Sequence, residues 1–396
     1  MREWIFVPGL LLSLAAYGPA PGRRGTADLD RVLQSAVAQK KVPGAVAVVA
    51  TPEGVVWQGG TGYASDTIFA IASMTKPVTS VAVMQLVEAG KVKLDEPAST
   101  YLPELAKVQV LENGTLRAPK SPVTVRQLLT HTSGFAYEFM NKDLHDFVAK
   151  GGAPSMMAGG DGFLKAPLLY DPGTRWEYGI STDWLGRLVE KVSGKDLEAY
   201  FRLAIFEPLG MKDSFFNVPA DKQARLATSW QRTEDGRLVA QPIRARPSGG
   251  FLSGGGGLHS TAADYIRFAR AILAGGALDG RRILKAETIE LMGRNHIGDL
   301  SLRPFPSLMP QLATDGAVLP GGLEKFGLGF ALNTRAIEHG RGARTLTWAG
   351  IFNTFFWVDR ERKVCAVLMS QMSPGLDEGP RRLLEDFDQA VYAWLP

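Results

Sequence analysis

One cysteine in 396 residues excludes an intrachain disulfide. Cys365 lies in the apolar run Val364-Cys365-Ala366-Val367-Leu368-Met369 and reads as a buried structural thiol, not a nucleophile. The five histidines (His131, His145, His259, His296, His339) show no paired metal-ligand spacing, so neither a metal nor another cofactor is expected. Charge of one sign is equally scarce. The formal net charge is +4 with no Lys/Arg block, which leaves no electrostatic footprint for nucleic acid. No G-x-S-x-G occurs, which excludes the nucleophile elbow of the α/β-hydrolases. The glycine cluster from Gly249 to Gly257 lacks the spacing and the lysine of a phosphate loop, so tight turning or close backbone approach explains it better. The apolar stretch 4–17 is too short to span a bilayer, and no stable membrane insertion is expected. Its flanking Arg2 and Glu3 cancel, and Pro8-Gly9 interrupts it. A degenerate signal segment and an N-terminal arm packed on the body both fit; the arm, and with it a cytoplasmic location, is favoured.

What is present is an ordinary globular enzyme composition, 45% hydrophobic and 21% charged, in a chain long enough for two subdomains. Leu29 to Ala38 repeats apolar residues at helical spacing. Ala45 to Ala50 reads as a buried strand, Thr51-Pro52-Glu53-Gly54 as a turn and Val55 to Gly60 as its hairpin partner. The middle of the chain is rich in helix and loop signals. These include a short helix over 123–130, a glycine-rich mobile loop over 151–160 placed on an active-site rim, and a helix capped at Ser181. Ser260-Thr261 caps another helix that runs to Leu273. Near the end, 326–332, 345–349, 353–358 and 364–369 form a meander, and a helix over 381–394 closes the chain. The expected fold class is α+β. A central antiparallel sheet built from both termini (28–90 and 245–396) is flanked by helices, and a mainly helical subdomain (91–244) is inserted, with the active site between the two.

The chemistry is placed in Ile71-Ala72-Ser73-Met74-Thr75-Lys76-Pro77. A hydroxyl and an amine three residues apart share a helix face. Pro77, tolerated only in a first turn, puts the helix start near Ser73, and the Ala89-Gly90 pair ends it. Alone, this spacing is common. It gains meaning from further segments in order. These are Leu128-Leu129-Thr130-His131-Thr132-Ser133-Gly134, then Pro172-Gly173-Thr174-Arg175-Trp176-Glu177-Tyr178, Pro208-Leu209-Gly210-Met211, Gly256 to Tyr265, and Trp348-Ala349-Gly350.

From about residue 28 to its end the chain resembles the serine β-lactamase/penicillin-binding-protein superfamily, with class C β-lactamases and family VIII carboxylesterases most similar. The resemblance implies a class C β-lactamase-like fold. It implies Ser73 as nucleophile, Lys76 as its activating partner and Tyr178 as the group that relays a proton to the leaving alcohol. It also implies an oxyanion hole from the backbone N–H groups of Ser73 and Ile351. Tyr137 and Tyr170 are rivals for Tyr178. Where that superfamily usually carries Lys-Thr-Gly, this chain has Trp348-Ala349-Gly350, and where it carries Tyr-x-Asn, this chain has Tyr178-Gly179-Ile180. Trp348, Ala349, Gly350 and Ile180 are therefore assigned to an apolar substrate site, with Trp348 equally open to being plain core. His131 and His259 read as structural, and Asp183 and Arg175 as surface ion-pair residues. The expected activity is a serine carboxylesterase acting on short-chain, small-molecule esters, with weak β-lactam turnover possible through the shared acylation step. The alternatives are a class C-like β-lactamase or D-Ala-D-Ala peptidase, and a non-catalytic penicillin- or peptidoglycan-binding protein. A monomer or homodimer is expected.

Overall fold

The computed structural model describes residues 26–242, 250–315 and 323–395. The expected N-terminal arm therefore lies almost wholly outside the described residues, as does Gly249.

Both ends of the chain build one seven-stranded antiparallel sheet. Its order is 323–326, 331–333, 346–350, 354–359, 364–369, 45–51 and 54–61. The join is the pairing of Ala45–Thr51 with Val364–Met369, in which Val48 faces Val367. Both strands are apolar along almost their whole length rather than alternating, because helices cover the sheet there. Helix Ala262–Leu273 packs on the strands at 45–51, 354–359 and 364–369. The outer face is covered by Thr26–Ala38 together with Glu378–Trp394, whose Phe387 meets Trp57 and Trp357. Cys365 is fully buried at the join, and burial pushes its thiol up, away from the reactive thiolate, as a structural role requires.

Two expectations need correction. The single strand expected over 326–332 is two strands joined by a turn at 327–330. A side chain at Gly327 would collide with the carbonyl of Met292, and Gly329 has φ 95°, so this stretch cannot stay extended. Ser181 does not cap its helix. Ile180 is the N-cap without a side-chain bond, and the Ser181 hydroxyl instead pairs with that of Ser133 at 2.8 Å. Two small strand pairs, Val110–Glu112 with Thr115–Arg117 and Ser229–Arg232 with Leu238–Gln241, are too short to carry a period-two signal in the sequence. The capped helices at Thr124 and Thr261 form as expected, the first with a full capping box to Gln127.

Among the described residues no helix is long and apolar enough to cross a membrane.

Candidate active site

Ser73 does not open an α-helix. It sits in a 3-10 turn, Ala72–Met74, that feeds directly into the helix Thr75–Glu88. The turn runs straight into the first turn of that helix, and the serine and Lys76 still face one another across the junction. The residue before the serine is under strain: Ala72 has φ 43°, a conformation that costs an alanine about 1–3 kcal/mol. A dense set of bonds holds it. The Thr75 hydroxyl donates to the Ala72 carbonyl at 2.7 Å and accepts from the Leu258 N–H at 3.1 Å. The Tyr265 hydroxyl donates to the Met74 carbonyl at 2.8 Å, and the Ile71 N–H donates to the Leu258 carbonyl at 3.0 Å. From Ile71 to Met84 every residue is buried except Ser73, which is half-buried. The turn presents one hydroxyl to solvent.

Lys76 is 2% exposed, and its Nζ has three hydrogen-bond partners among the described residues. They are the Ser73 hydroxyl at 3.1 Å, the Tyr137 hydroxyl at 2.9 Å and the Gly255 carbonyl at 2.6 Å. This set suits both states of the amine. An ammonium would donate to all three. A neutral amine would donate to Gly255 and Tyr137 and turn its lone pair to the serine O–H. The geometry is that of a nucleophile with its base.

Two tyrosines meet this lysine, in different ways. The Tyr137 hydroxyl is the one hydrogen-bonded to Lys76, although sequence reasoning ranked it as a rival only. Tyr137 is buried, and burial first, then Tyr178 and Asp183, push its hydroxyl well above its ordinary range, so it stays protonated. Tyr178 turns its ring to Lys76, with Nζ 4.8 Å from the ring centroid. Its hydroxyl accepts from the Trp348 indole N–H at 3.3 Å. An indole can only donate, so the Tyr178 oxygen is used as an acceptor and its own proton remains available. Of the two tyrosines, only Tyr178 lines a cavity of about 490 Å³, whose wall is part apolar (Met140, Trp176, Phe305, Leu308) and part charged (Lys142, Arg175, Glu177, Arg303, Asp315), and which Ser73 and Lys76 do not line. Tyr170 is not at the site; it lies under the guanidinium of Arg175.

The segment around His131 positions the Tyr178 loop. Its carbonyls at His131 and Thr132 accept from the N–H groups of Glu177 and Gly173, and His131 has φ 56°. The His131 ring lies 5.0 Å from that of Tyr178. Burial, and then the charge of Lys76, hold its imidazole well below the usual range, so it is neutral and structural, as expected. His259 is structural too, exchanging backbone hydrogen bonds with Phe215.

Trp348-Ala349-Gly350 ends the strand Leu346–Gly350, beside the serine turn. The Thr354 hydroxyl donates to the Ile71 carbonyl at 3.3 Å. A side chain at Gly350 would collide with that same carbonyl, so only glycine lets the strand end approach the turn. The amides of Ser73 and Ile351 thus belong to neighbouring segments. Trp348 is 3% exposed and reaches the cavity only through Tyr178 and Phe305; Ile180 is equally buried at its helix cap and does not line the cavity. Residues 151–160 do not line it either. Gly152 packs on Phe147 and the Ser155 hydroxyl donates to Glu138, so the rim on that side is Met140, Asn141 and Lys142.

Sequence reasoning missed two residues. Asp183 is not a surface ion-pair residue. It is 2% exposed and accepts from the Ser253 hydroxyl at 2.6 Å and the Gly255 N–H at 3.1 Å. Nothing local announces a partner seventy residues away. Phe305, on the cavity wall, did leave a signal: it stands between Pro304 and Pro306, which stiffen a loop and hold out an aromatic. Arg175 does form a half-exposed ion pair, with Glu177 at 3.2 Å.

The family described as Beta-lactamase matches residues 29–390. The monacolin J acid methylbutanoyltransferase of Aspergillus terreus is 33% identical, over 83% of this chain and 82% of that protein. The lovastatin esterase of Penicillium rubens is 31% identical, over 86% and 91%. Among solved structures, unliganded simvastatin synthase from Aspergillus terreus superposes with a TM-score of 0.80 at 30% identity, covering 92% of this chain and 97% of that one. The chain is thus similar to hydrolases and to acyltransferases alike.

Proposed function

Since the chain belongs to the beta-lactamase family, we propose that it is a serine carboxylesterase that forms an acyl-enzyme on Ser73. The observation that carries this reading is the single accessible hydroxyl of a buried turn, 3.1 Å from the amine of Lys76. Ser73 Oγ attacks the ester carbonyl and its proton passes to Lys76. The tetrahedral oxyanion is held by the N–H groups of Ser73 and Ile351. The carbon–oxygen bond to the alcohol then breaks. Tyr178 gives its proton to the departing alkoxide and recovers one from Lys76. Water attacks the acyl-enzyme with the same groups in reverse, releasing the acid and restoring the serine.

Tyr178 is preferred to Tyr137 for the relay because it lines the cavity and has its oxygen already engaged by Trp348. Tyr137 then serves to hold the lysine. An indole occupies the place of the cation that would grip a β-lactam or peptide carboxylate, and it packs with other aromatic rings around Tyr178, behind a cavity wall that mixes such rings with Lys142, Arg175 and Arg303. The loss of that cation beside the serine turn is what favours an uncharged ester over a β-lactam or peptide carboxylate.

A second reading, acyl transfer to an alcohol instead of water, draws on the relatives named as methylbutanoyltransferase and simvastatin synthase. One panel separates the readings. With p-nitrophenyl butyrate, nitrocefin, and the butyrate plus an added alcohol, the expected order of kcat/KM is butyrate far above nitrocefin. Ester product formed at the expense of free acid would move the reading to a transferase. A larger rate on nitrocefin would overturn it in favour of a β-lactamase.

A further inference from the structure

We propose that Asp183 is a positioning residue for Lys76, acting through the Gly254-Gly255 segment that runs between the two helices. The inference rests on the reading that Lys76 serves Ser73, and extends it to a residue that touches neither.

The connection is continuous and short. Gly255 donates its N–H to Asp183 Oδ1 at 3.1 Å and offers its carbonyl to Lys76 Nζ at 2.6 Å, so one residue is held from behind by the carboxylate and holds the amine in front. The peptide just before it is bonded at both ends as well. The Gly254 carbonyl accepts from the Thr79 hydroxyl at 2.7 Å, one turn along the lysine's helix, while the N–H of that same peptide is the one given to Asp183. A peptide bonded at both its C=O and its N–H is polarised and fixed in plane. Ser253 adds a third tie, its hydroxyl donating to Asp183 at 2.6 Å.

Sterics make the segment specific to glycine. A side chain at Gly255 would collide with the Asp183 carboxylate. One at Gly254 would stand 2.8 Å from the Thr182 carbonyl and 3.0 Å from Gly186 Cα. The segment therefore lies directly on the first turns of the helix Ser181–Ser193. A carboxylate only 2% exposed is costly to bury, and here the cost is offset by bonds to the segment that fixes the base. Lys76 has a long, flexible stem, and without a fixed Gly255 carbonyl the Tyr137 hydroxyl and the face of the Tyr178 ring would be left to aim its amine at Ser73.

The test uses the full chain with Asp183→Ala, Asp183→Asn and Ser253→Ala, each alone and combined with Lys76→Met. Two readouts are taken: steady-state hydrolysis of p-nitrophenyl butyrate, and the rate at which an alkyl p-nitrophenyl phosphonate labels Ser73. Asp183→Ala is expected to lower kcat by about 100-fold, the order of loss that a displaced catalytic group produces, with KM within about threefold. Asparagine, which keeps the acceptor oxygen, should restore activity to within about tenfold of the parent. The decisive result is non-additivity. In the Lys76→Met background none of the three changes should slow labelling further, because the group being positioned is gone. Should Asp183→Ala fail to fold, Ser253→Ala carries the same comparison with a smaller loss. Equal losses in both backgrounds would overturn the inference and leave a merely structural aspartate. Parent protein that hydrolyses the ester but is not labelled on Ser73 would overturn both the inference and the functional reading beneath it.

Discussion

Replacing Lys76 by methionine is expected to lower kcat on p-nitrophenyl butyrate by about 10³-fold, within the range general-base catalysis contributes, while KM moves little. Methionine keeps the apolar stem in its buried slot and removes only the amine, so the packing of a side chain that is 2% exposed is preserved. The Gly255 carbonyl and the Tyr137 hydroxyl each lose a donor, a stability cost of about 1–3 kcal/mol for each partner left unsatisfied, partly offset because an amine no longer has to be buried. The loss should therefore fall on the proton transfer from Ser73, not on the fold, and circular dichroism should be that of the parent. A kcat within tenfold of the parent would mean that the 3.1 Å contact between amine and hydroxyl is incidental.

Gly350→Ala is expected to cost about 10²- to 10³-fold in kcat, the loss seen when one oxyanion donor is displaced. The new methyl group would run into the Ile71 carbonyl and the Thr354 hydroxyl. Neither can yield cheaply. Ile71 leads into the strained Ala72–Met74 turn, and Thr354 is paired in the sheet opposite Gly350 and Met369. The strand end must back away, taking the Ile351 N–H with it and widening the gap to the Ser73 N–H. Overpacking of this kind destabilises by about 1–3 kcal/mol, so a modestly lower melting temperature should accompany the kinetic loss. Binding of a tetrahedral phosphonate should weaken far more than KM rises. Unchanged kcat would place the oxyanion hole elsewhere.

How much of this was written in the sequence depends on the range of the interaction. Ser73 and Lys76 were legible because their relation is local: three residues apart, they face each other across the junction of a 3-10 turn and its helix as they would within an α-helix. The sheet from both termini was legible in Ala45–Ala50 and Val364–Met369, whose continuous apolar runs announce a strand covered on both faces. The strained start at Ala72 was not. Its φ is imposed by Thr75, Leu258 and Tyr265, and only Thr75 is nearby in sequence. Tyr137 and Tyr178 could not be told apart by spacing, since which hydroxyl meets Lys76 depends on how the 131–140 and 172–180 segments fold against each other. Asp183 looked like an ordinary first-turn acid because its partner, Gly255, arrives from a glycine-rich segment whose own pattern says only that something passes close by. The Trp348-Ala349-Gly350 strand was placed correctly, but its tryptophan reaches the cavity only by way of Tyr178 and Phe305.

The central claim is that Ser73 carries the acyl group. The most direct measurement is mass spectrometry of the protein mixed with a p-nitrophenyl ester, quenched with acid within milliseconds to seconds and digested. The account predicts one acyl adduct, located on the peptide containing Ser73, that appears in a burst with p-nitrophenol and is absent together with all turnover in Ser73→Ala. An adduct on another residue, or steady hydrolysis by Ser73→Ala protein, would contradict it.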